Sequence, residues 1–353
     1  MRTQTTWRTV LTVLAYSYVV GLFGWALLYN IVGDSWWWLF LINSLAIYLF
    51  LPLLLLPIII LVTRHHVLWL GFGVGSLLWL SFYGFFLPHT PPVRAEGRTL
   101  SVMTYNLLRH NLDTPEILDA IRAADADVVA LQELNGTTAA AITNDLRGEY
   151  PYQLLEPGAD TSGMGIISRY PLQSITDMNL TKGLPDGWVG PPQLVEVMFF
   201  KTRVTLLNVH AQSTNLGYGG NVRLNPANIE ESVRIREEQM HALLEVVAQR
   251  PGPLLLVGDL NTGYPSRAYD IIAEVLHDAW HEAGQGAGHT FPGAALPGSS
   301  RPRVFGIPLP QWLIRIDYIF YSDHWQALDA RIGPWDEQSD HRPVVAELML
   351  LTR

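Results

Sequence analysis

The chain contains no cysteine, which excludes a disulfide framework and any thiolate metal site. Charge is nearly missing from its first quarter, where residues 1–88 hold only Arg2, Arg8, Asp34 and Arg64. A basic excess is missing from the rest, which carries 20 basic against 31 acidic side chains, a net charge of −11. Proteins that grip nucleic acid without sequence preference rely on a basic footprint, so nucleic acid is not the expected partner. Internal repeats and low-complexity tracts are also lacking. At 353 residues there is room for about two domains.

Three apolar runs fill the charge-poor part, roughly Val10–Val32, Trp36–Val62 and Val67–Leu87. Each reaches the ~20 residues that a helix needs to cross ~30 Å of hydrocarbon, and three of them rule out a single cleaved signal peptide. Trp36, Trp37, Trp38 and Trp69 lie near span ends, where aromatic side chains anchor at the interface. Pro52 and Pro57 are tolerable because neighbouring membrane helices can satisfy the freed carbonyls. Arg2 and Arg8 precede the first span, Arg64 fills the turn between the second and third, and the first loop holds only Asp34. The positive-inside rule therefore places the N-terminus and the Arg64 turn in the cytoplasm. An odd number of spans puts residues 89 onward outside. The expected organisation is a three-helix transmembrane anchor over 1–88, a proline-rich linker over 89–98 and a folded domain over 99–353. The chain is thus expected to be a multi-pass protein of the cell membrane with that domain extracytoplasmic.

The rest reads as short strands interleaved with helices. Strands are predicted at Leu100–Asn106, Val128–Gln132, Gly163–Ser168, Leu194–Phe200, Val204–Val209, Leu254–Gly258, Ile314–Tyr321 and Val344–Leu350, from apolar or alternating runs rich in β-branched residues. Helices are predicted at Thr114–Ala124, with Thr114 as N-cap and Pro115 at its first position, and at Glu230–Gln249. The pattern suggests a mixed α/β sandwich.

Five polar motifs sit at the ends of these strands: Thr104-Tyr105-Asn106, Leu131-Gln132-Glu133, Asn208-Val209-His210, Gly258-Asp259-Leu260-Asn261 and Ser339-Asp340-His341. Glu133 ends a buried strand and can supply one of the carboxylates that a hard cation such as Mg²⁺ takes. Gly258 permits close backbone approach, and strand alternation sends Asp259 and Asn261 to one side. One can accept a proton from water while the other donates to a phosphoryl oxygen; an Asx turn capping the strand is the structural alternative. Asp340 is a metal-type ligand beside His341, and His341 needs an orienting carboxylate, which Asp317 on another strand offers. His210 fits a catalytic imidazole or a satisfied core histidine.

The ordered set resembles the endonuclease/exonuclease/phosphatase, or DNase I-like, superfamily over about residues 99–351. The resemblance implies a four-layered α/β sandwich with two mixed sheets and the site at one end, here preceded by three transmembrane helices. It implies Asn106, Glu133 and Asp340 at a Mg²⁺ or Mn²⁺ site and Asp259 as the base for the nucleophilic water. Asn261 would stabilise the transition state, His210 would contact phosphate or act as acid, and Asp317 would orient His341. Phosphate binding falls to Asn106, His210, Asn261 and His341. Gly163–Arg169 resembles the family's glycine-started strand, and Arg236 with Gln239 its helix facing the site.

Such a site implies phosphoester hydrolysis by in-line attack of activated water, but a fold does not choose the substrate. The anchor, the acidic body and the apolar stretch Val304–Ile314 beside Asp317 favour a membrane lipid phosphate or pyrophosphate. That stretch could hold an acyl or prenyl chain, or pack as an ordinary loop. Three spans before such a domain also resemble the membrane phosphatases linked to teicoplanin resistance, which act on polyprenyl pyrophosphate carriers. A sphingomyelinase- or phospholipase C-like phosphodiesterase, an extracytoplasmic nuclease and a non-catalytic binding module are the alternatives. No protein partner is predicted.

Overall fold

The computed structural model describes residues 2–87, 97–175, 184–216, 221–293 and 301–351. Most of the expected linker 89–98 lies outside the described residues. The N-terminal part forms helix α1 (Arg2–Val32), a short α2 (Trp37–Ser44), a 3₁₀ segment over Ala46–Leu55, then α3 (Leu56–Thr63) and α4 (Leu68–Tyr83). Three stretches are long and apolar enough to cross a membrane: Thr6–Val32, Ala46–Thr63 and Leu68–Phe86. The expected second span, Trp36–Val62, is therefore too long at its start. It breaks at Leu45, where φ is −117° and ψ is 17°. The cause is polar: buried Asn43 accepts from Trp25 Nε1 (2.9 Å) and donates to Asp34 Oδ1 (2.6 Å), which turns α2 away from the span. Pro52 lies inside the 3₁₀ stretch, and the Leu49 carbonyl three residues before it accepts from Tyr18 Oη at 3.0 Å.

The remainder holds two six-stranded sheets. In the first, β1 (Thr99–Asn106) runs parallel to β2 (Val128–Gln132) through α5 (Thr114–Ala124). After α6 (Gly136–Asp145) come β3 (Tyr152–Glu156) and β4 (Met164–Ser168), and β13 (Trp325–Ile332) and β14 (Val344–Leu350) complete the order β13-β14-β1-β2-β4-β3. The second contains β5 (Leu172–Ser174), β6 (Gly190–Phe199), β7 (Thr202–His210), β8 (Leu254–Asp259), β9 (His277–Asp278) and β12 (Asp317–Tyr321), in the order β5-β6-β7-β8-β12-β9. Between β7 and β8 runs α7 (Pro226–Ala248), and α8 (Arg267–Ala273) follows β8. A small hairpin pairs β10 (Arg303–Val304) with β11 (Ile307–Pro308).

The layers follow from burial. Leu100, Val102, Val128 and Ile166 of the first sheet meet Val195, Leu206, Leu255 and Val257 of the second, all with no exposed surface. The outer face of the first sheet packs on Ile117, Ile121 and Ile142 from α5 and α6. The second is covered by Met240, Leu243 and Ile272 from α7 and α8. Helices outside and two mixed sheets inside give the expected four-layered α/β sandwich. Strands buried on both faces read as unbroken apolar runs, which is why β2 and β8 were legible. β3 has no fully buried residue, and a bulge between Ala327 and Asp329 interrupts the alternation of β13; both escaped the pattern, as did α6 and α8. α5 has the expected range, but Asp113 rather than Thr114 is its N-cap residue, and no side chain closes the cap.

One polar cluster crosses this apolar interface. Asn208 Nδ2 donates to the carbonyls of Leu131 and Gly165 and to Gln193 Oε1, each at 3.1 Å. Its Oδ1 accepts from Gln132 Nε2 at 2.7 Å, and Gln132 also bonds Thr104. Buried polar groups need such partners, and each one stranded costs roughly 1–3 kcal/mol. Asn208→Leu should therefore lower the melting temperature in detergent by about 5–10 °C, taking roughly 2–4 °C per kcal/mol. An unshifted calorimetric transition would show that the clamp carries no stability.

Candidate active site

Register places the site before any side chain is considered. His210 and Asp317 both lie opposite Asp259, on the strands flanking β8. Asn106 ends β1 opposite Gln132, so Glu133 follows directly at the end of β2. Glu133 has φ +55°, outside the strand conformation. Gly258 has φ +138°, and a Cβ there would stand 1.9 Å from the Val209 carbonyl, so only glycine lets β7 and β8 close beside the site. Ser339 fastens the last motif: its Oγ donates to the Asn106 carbonyl (2.7 Å) and accepts from His341 N (3.1 Å).

The structure brings the sequence-predicted residues together around the buried Asp259 carboxylate. Its Oδ2 accepts from Asn106 Nδ2 at 3.1 Å and lies 3.5 Å from His210 Nε2 and 3.8 Å from His341 Nε2. Asn106 Nδ2 also reaches Glu133 Oε1 at 3.4 Å, and Glu133 Oε2 accepts from Arg109 N at 3.0 Å. Asp317 Oδ2 holds His341 Nδ1 at 2.9 Å. Asp340 acts electrostatically on Glu133.

Asn261 departs from the alternation argument. β8 ends at Asp259, and Asn261, with φ +51°, donates its N–H to Asp259 Oδ1 at 2.8 Å. The Asx turn is thus real, and the Asn261 amide bonds the Ala211 carbonyl at 3.0 Å.

The electrostatics separate the groups. Burial, and then the His341 charge, push His210 down to about 3, so it is a neutral imidazole. Burial also opposes the imidazolium of His341, but Asp317 and Asp259 outweigh it and hold that group above its ordinary value. Burial pushes Asp259 up, with Asp317 adding and His341 opposing. Burial and then Asp340 raise Glu133.

Two groups could be considered for a metal. Asp259, Asp317 and His341 present ligand-type atoms within 4.8 Å of one another. The Asp317–His341 hydrogen bond, however, makes this an orienting carboxylate–histidine pair facing a second carboxylate. Glu133 with Asp340 fits a hard cation better: the two buried carboxylates lie close enough for Asp340 to raise Glu133, and carboxylate oxygens suit Mg²⁺ or Mn²⁺. Asn106, expected as a third ligand, turns its Nδ2 toward Glu133 while its Oδ1 accepts from Leu108 N at 3.1 Å, so it is placed as a hydrogen-bond donor and not as a metal ligand.

Several contributors had no role assigned from sequence. Asp336 accepts from Ser339 N (2.9 Å) and Asn111 Nδ2 (2.5 Å), fixing the loop that carries Asp340 and His341. The Phe291 ring lies 5.0 Å from that of His341. Arg236 and Gln239 do face the site: Arg236 Nη1 donates to the Gln212 carbonyl (2.9 Å) and Thr214 Oγ1 (2.7 Å), and Gln239 Oε1 accepts from Gln212 N (2.9 Å). They hold the segment that follows His210.

Two mixed sheets with carboxylates, amides and histidines converging at one end define a DNase I-like phosphoesterase fold. A sequence profile of the Endonuclease/Exonuclease/phosphatase family matches residues 103–341, and the chain belongs to this family. Its members are divalent-metal-dependent phosphoester hydrolases, and the protein is an enzyme of this kind. Among solved structures, humanized Danio rerio TDP2 with 14 mutations is 15% identical, with a TM-score of 0.50, covering 71% of this chain and 98% of that one. The endonuclease/exonuclease/phosphatase from Beutenbergia cavernae DSM 12333 is 22% identical, with a TM-score of 0.48, covering 72% of each chain. Truncated Caenorhabditis elegans TDP2 is 19% identical, also with a TM-score of 0.48, covering 71% of this chain and 97% of that one. Comparison with curated proteins gave no match.

Glu133→Gln removes a charge from the candidate cation site, and Asp259→Asn removes the buried carboxylate at its centre. Each should reduce kcat on a generic phosphoester by about a thousandfold or more, since a group of this kind supplies a few kcal/mol in the transition state. Circular dichroism should be unchanged. Near-wild-type turnover in either variant would refute the site.

Proposed function

We propose that the protein is a divalent-metal-dependent hydrolase of a membrane lipid phosphate or pyrophosphate, working at the extracytoplasmic face. The observation that carries this reading is an apolar cavity of about 380 Å³ that opens on His341, Asn261 and Asp340. Its side walls include Val304, Leu309 and Leu313. The size is that of a small-molecule site, and an apolar pocket beside a hydrolytic centre suits a hydrocarbon chain.

Glu133 and Asp340 would hold Mg²⁺, which when bound polarises a phosphoryl oxygen and offsets the charge that develops on it. Asp259, its proton affinity raised by burial, accepts the proton of the attacking water. His341, held cationic by Asp317, donates toward the phosphoryl group, while neutral His210 and the Asn106 amide orient it. Asn261 shapes the turn that fixes Asp259.

The N-terminal helices support the membrane location. The Asp34 turn and α2 contact the two-sheet unit, as three spans require, since the first loop and the chain after the third span then share one side. Arg2, Arg8 and Arg64 favour the opposite side as cytoplasmic. The three-helix architecture also resembles the teicoplanin-resistance phosphatases, which supports a polyprenyl pyrophosphate as substrate. The apolar stretch divides in two. Leu309, Leu313 and Ile314 face the cavity, whereas Trp312 packs edge-on against Trp335 (5.0 Å) beneath the Arg342 guanidinium. Phe305, at the hairpin tip, is 96% exposed, placed for contact with an interface. A nuclease is the alternative reading; the net charge of −11 and the apolar cavity weigh against it.

Full-length protein should hydrolyse a polyprenyl pyrophosphate or phosphatidic acid in mixed micelles faster than DNA, and EDTA should stop the reaction. Phe305→Ser should lower the ratio of lipid to soluble phosphoester turnover several-fold. DNA cleaved faster than every lipid tested would sink the lipid reading. For topology, alkaline phosphatase fused after Arg353 should be active in intact bacterial cells. An inactive fusion with an active cytoplasmic reporter at that point would reverse the orientation.

A further inference from the structure

We propose that α2, the short helix between the first two apolar spans, is a substrate-binding element that seats the hydrocarbon chain of the lipid phosphoester. This rests on the lipid reading above and adds a part of the protein outside the two-sheet unit to its active site. Phe40, Leu41, Ser44 and Leu45 form one wall of the cavity whose inner end is His341, Asn261 and Asp340. The N-terminal helices and the catalytic centre therefore share one cavity.

α2 is not a loose connector. Asp34, 2% exposed, accepts from Arg267 N at 2.7 Å and from Asn43 Nδ2 at 2.6 Å. Trp37 N donates to Glu230 Oε1 at 3.2 Å. Phe40 packs on Ile229 and Val233 of α7, with the Arg236 guanidinium 5.0 Å from its ring. Tyr29 Oη donates to Asp270 Oδ2 at 2.6 Å, and Tyr48 Oη to the Leu313 carbonyl at 3.0 Å. These contacts fix the wall relative to the catalytic atoms, so the cavity is built rather than incidental.

The occupant follows from continuity. The second candidate span begins at Ala46, directly after Leu45. A chain lying along α2 can thus pass from the bilayer toward the catalytic centre against a largely apolar surface. Each methylene exposed to water instead would weaken binding roughly fourfold, from ~0.8 kcal/mol per CH₂. A soluble phosphoester has no use for such a wall. A lipid whose headgroup must reach His341 while its tail stays out of water does.

The test uses the full-length protein in micelles, with a long-chain polyprenyl pyrophosphate and bis(p-nitrophenyl) phosphate as paired substrates. Leu45→Trp fills the cavity and Leu41→Asn makes its wall polar. Each should lower the lipid-to-soluble ratio of kcat/KM at least tenfold, mainly through the lipid KM, and turnover of the soluble ester reports that the fold is intact. Independently, a polyprenyl phosphate with a photoreactive group on its chain should label residues 37–45 of the unmutated protein. Unchanged ratios in both variants, or labelling confined to other segments, overturns the inference while leaving lipid hydrolysis standing. Wild-type protein that turns over only soluble esters or DNA overturns the lipid reading, and this inference with it.

Discussion

Neither sheet carries the site alone, and that is the constraint on which the rest of the structure depends. Asn106 and Glu133 come from the first sheet, and His210, Asp259 and Asp317 from the second. The 3.1 Å bond from Asn106 to Asp259 exists only if the two sheets keep one alignment. Apolar packing between them is non-directional and tolerates sliding. The Asn208 amide does not, because its three bonds across the interface, to Leu131, Gly165 and Gln132, fix distance and register together, while a fourth ties it to Gln193 of its own sheet. It lies two residues before His210, so the clamp and the catalytic end move as one piece.

The arrangement concentrates negative charge where water is excluded. Glu133, Asp259, Asp317 and Asp340 are each at most 6% exposed, and the buried cations acting on them include His341 and, on Asp259, Arg236. A folded chain does not keep such an excess without a use for it. Asp317 spends its charge on the His341 ring, leaving Glu133 raised by burial and then by Asp340. A divalent cation relieves that repulsion, so the metal dependence of the family has a physical cause in this donor set. Burial, and then the charge on His341, keep His210 neutral beside it.

The strands that bear the motifs were legible because both of their faces are covered, so their sequences read as apolar runs ending in a polar pair. The ordered set at those ends, with Asp317, named Asn106, Glu133, His210, Asp259 and His341, which the structure brings together, but not Asp336 or Phe291. Some elements with one face in solvent were not legible: β3, β13 and α6 carry mixed patterns that periodicity does not separate from loop, whereas the amphipathic α5 and α7 kept a helical period. Partnerships between distant segments were also hidden. Gln132 and Asn208 were visible as amides in apolar strands, but nothing local indicated that they face each other across the sandwich. Asp34 was visible as a lone charge among apolar spans. Its partner, the Arg267 backbone, lies 233 residues away, which is beyond what spacing can show.

α7 explains why the N-terminal helices and the catalytic centre form one object rather than two joined by a tether. Its first turns meet α2 through Glu230, Ile229 and Val233. One turn further on, Arg236 lies against Phe40 on one side and holds Gln212 and Thr214 on the other. Gln239 then takes the Gln212 N–H. A single rigid helix of 23 residues thus contacts both α2 and the segment that leaves His210. Displacing α2 has to move Arg236, and moving Arg236 releases the segment beside the catalytic histidine. On the proposed reading, with the spans held in a bilayer, that linkage would set the catalytic centre at a fixed height above them, which the reach of a lipid headgroup would have to match.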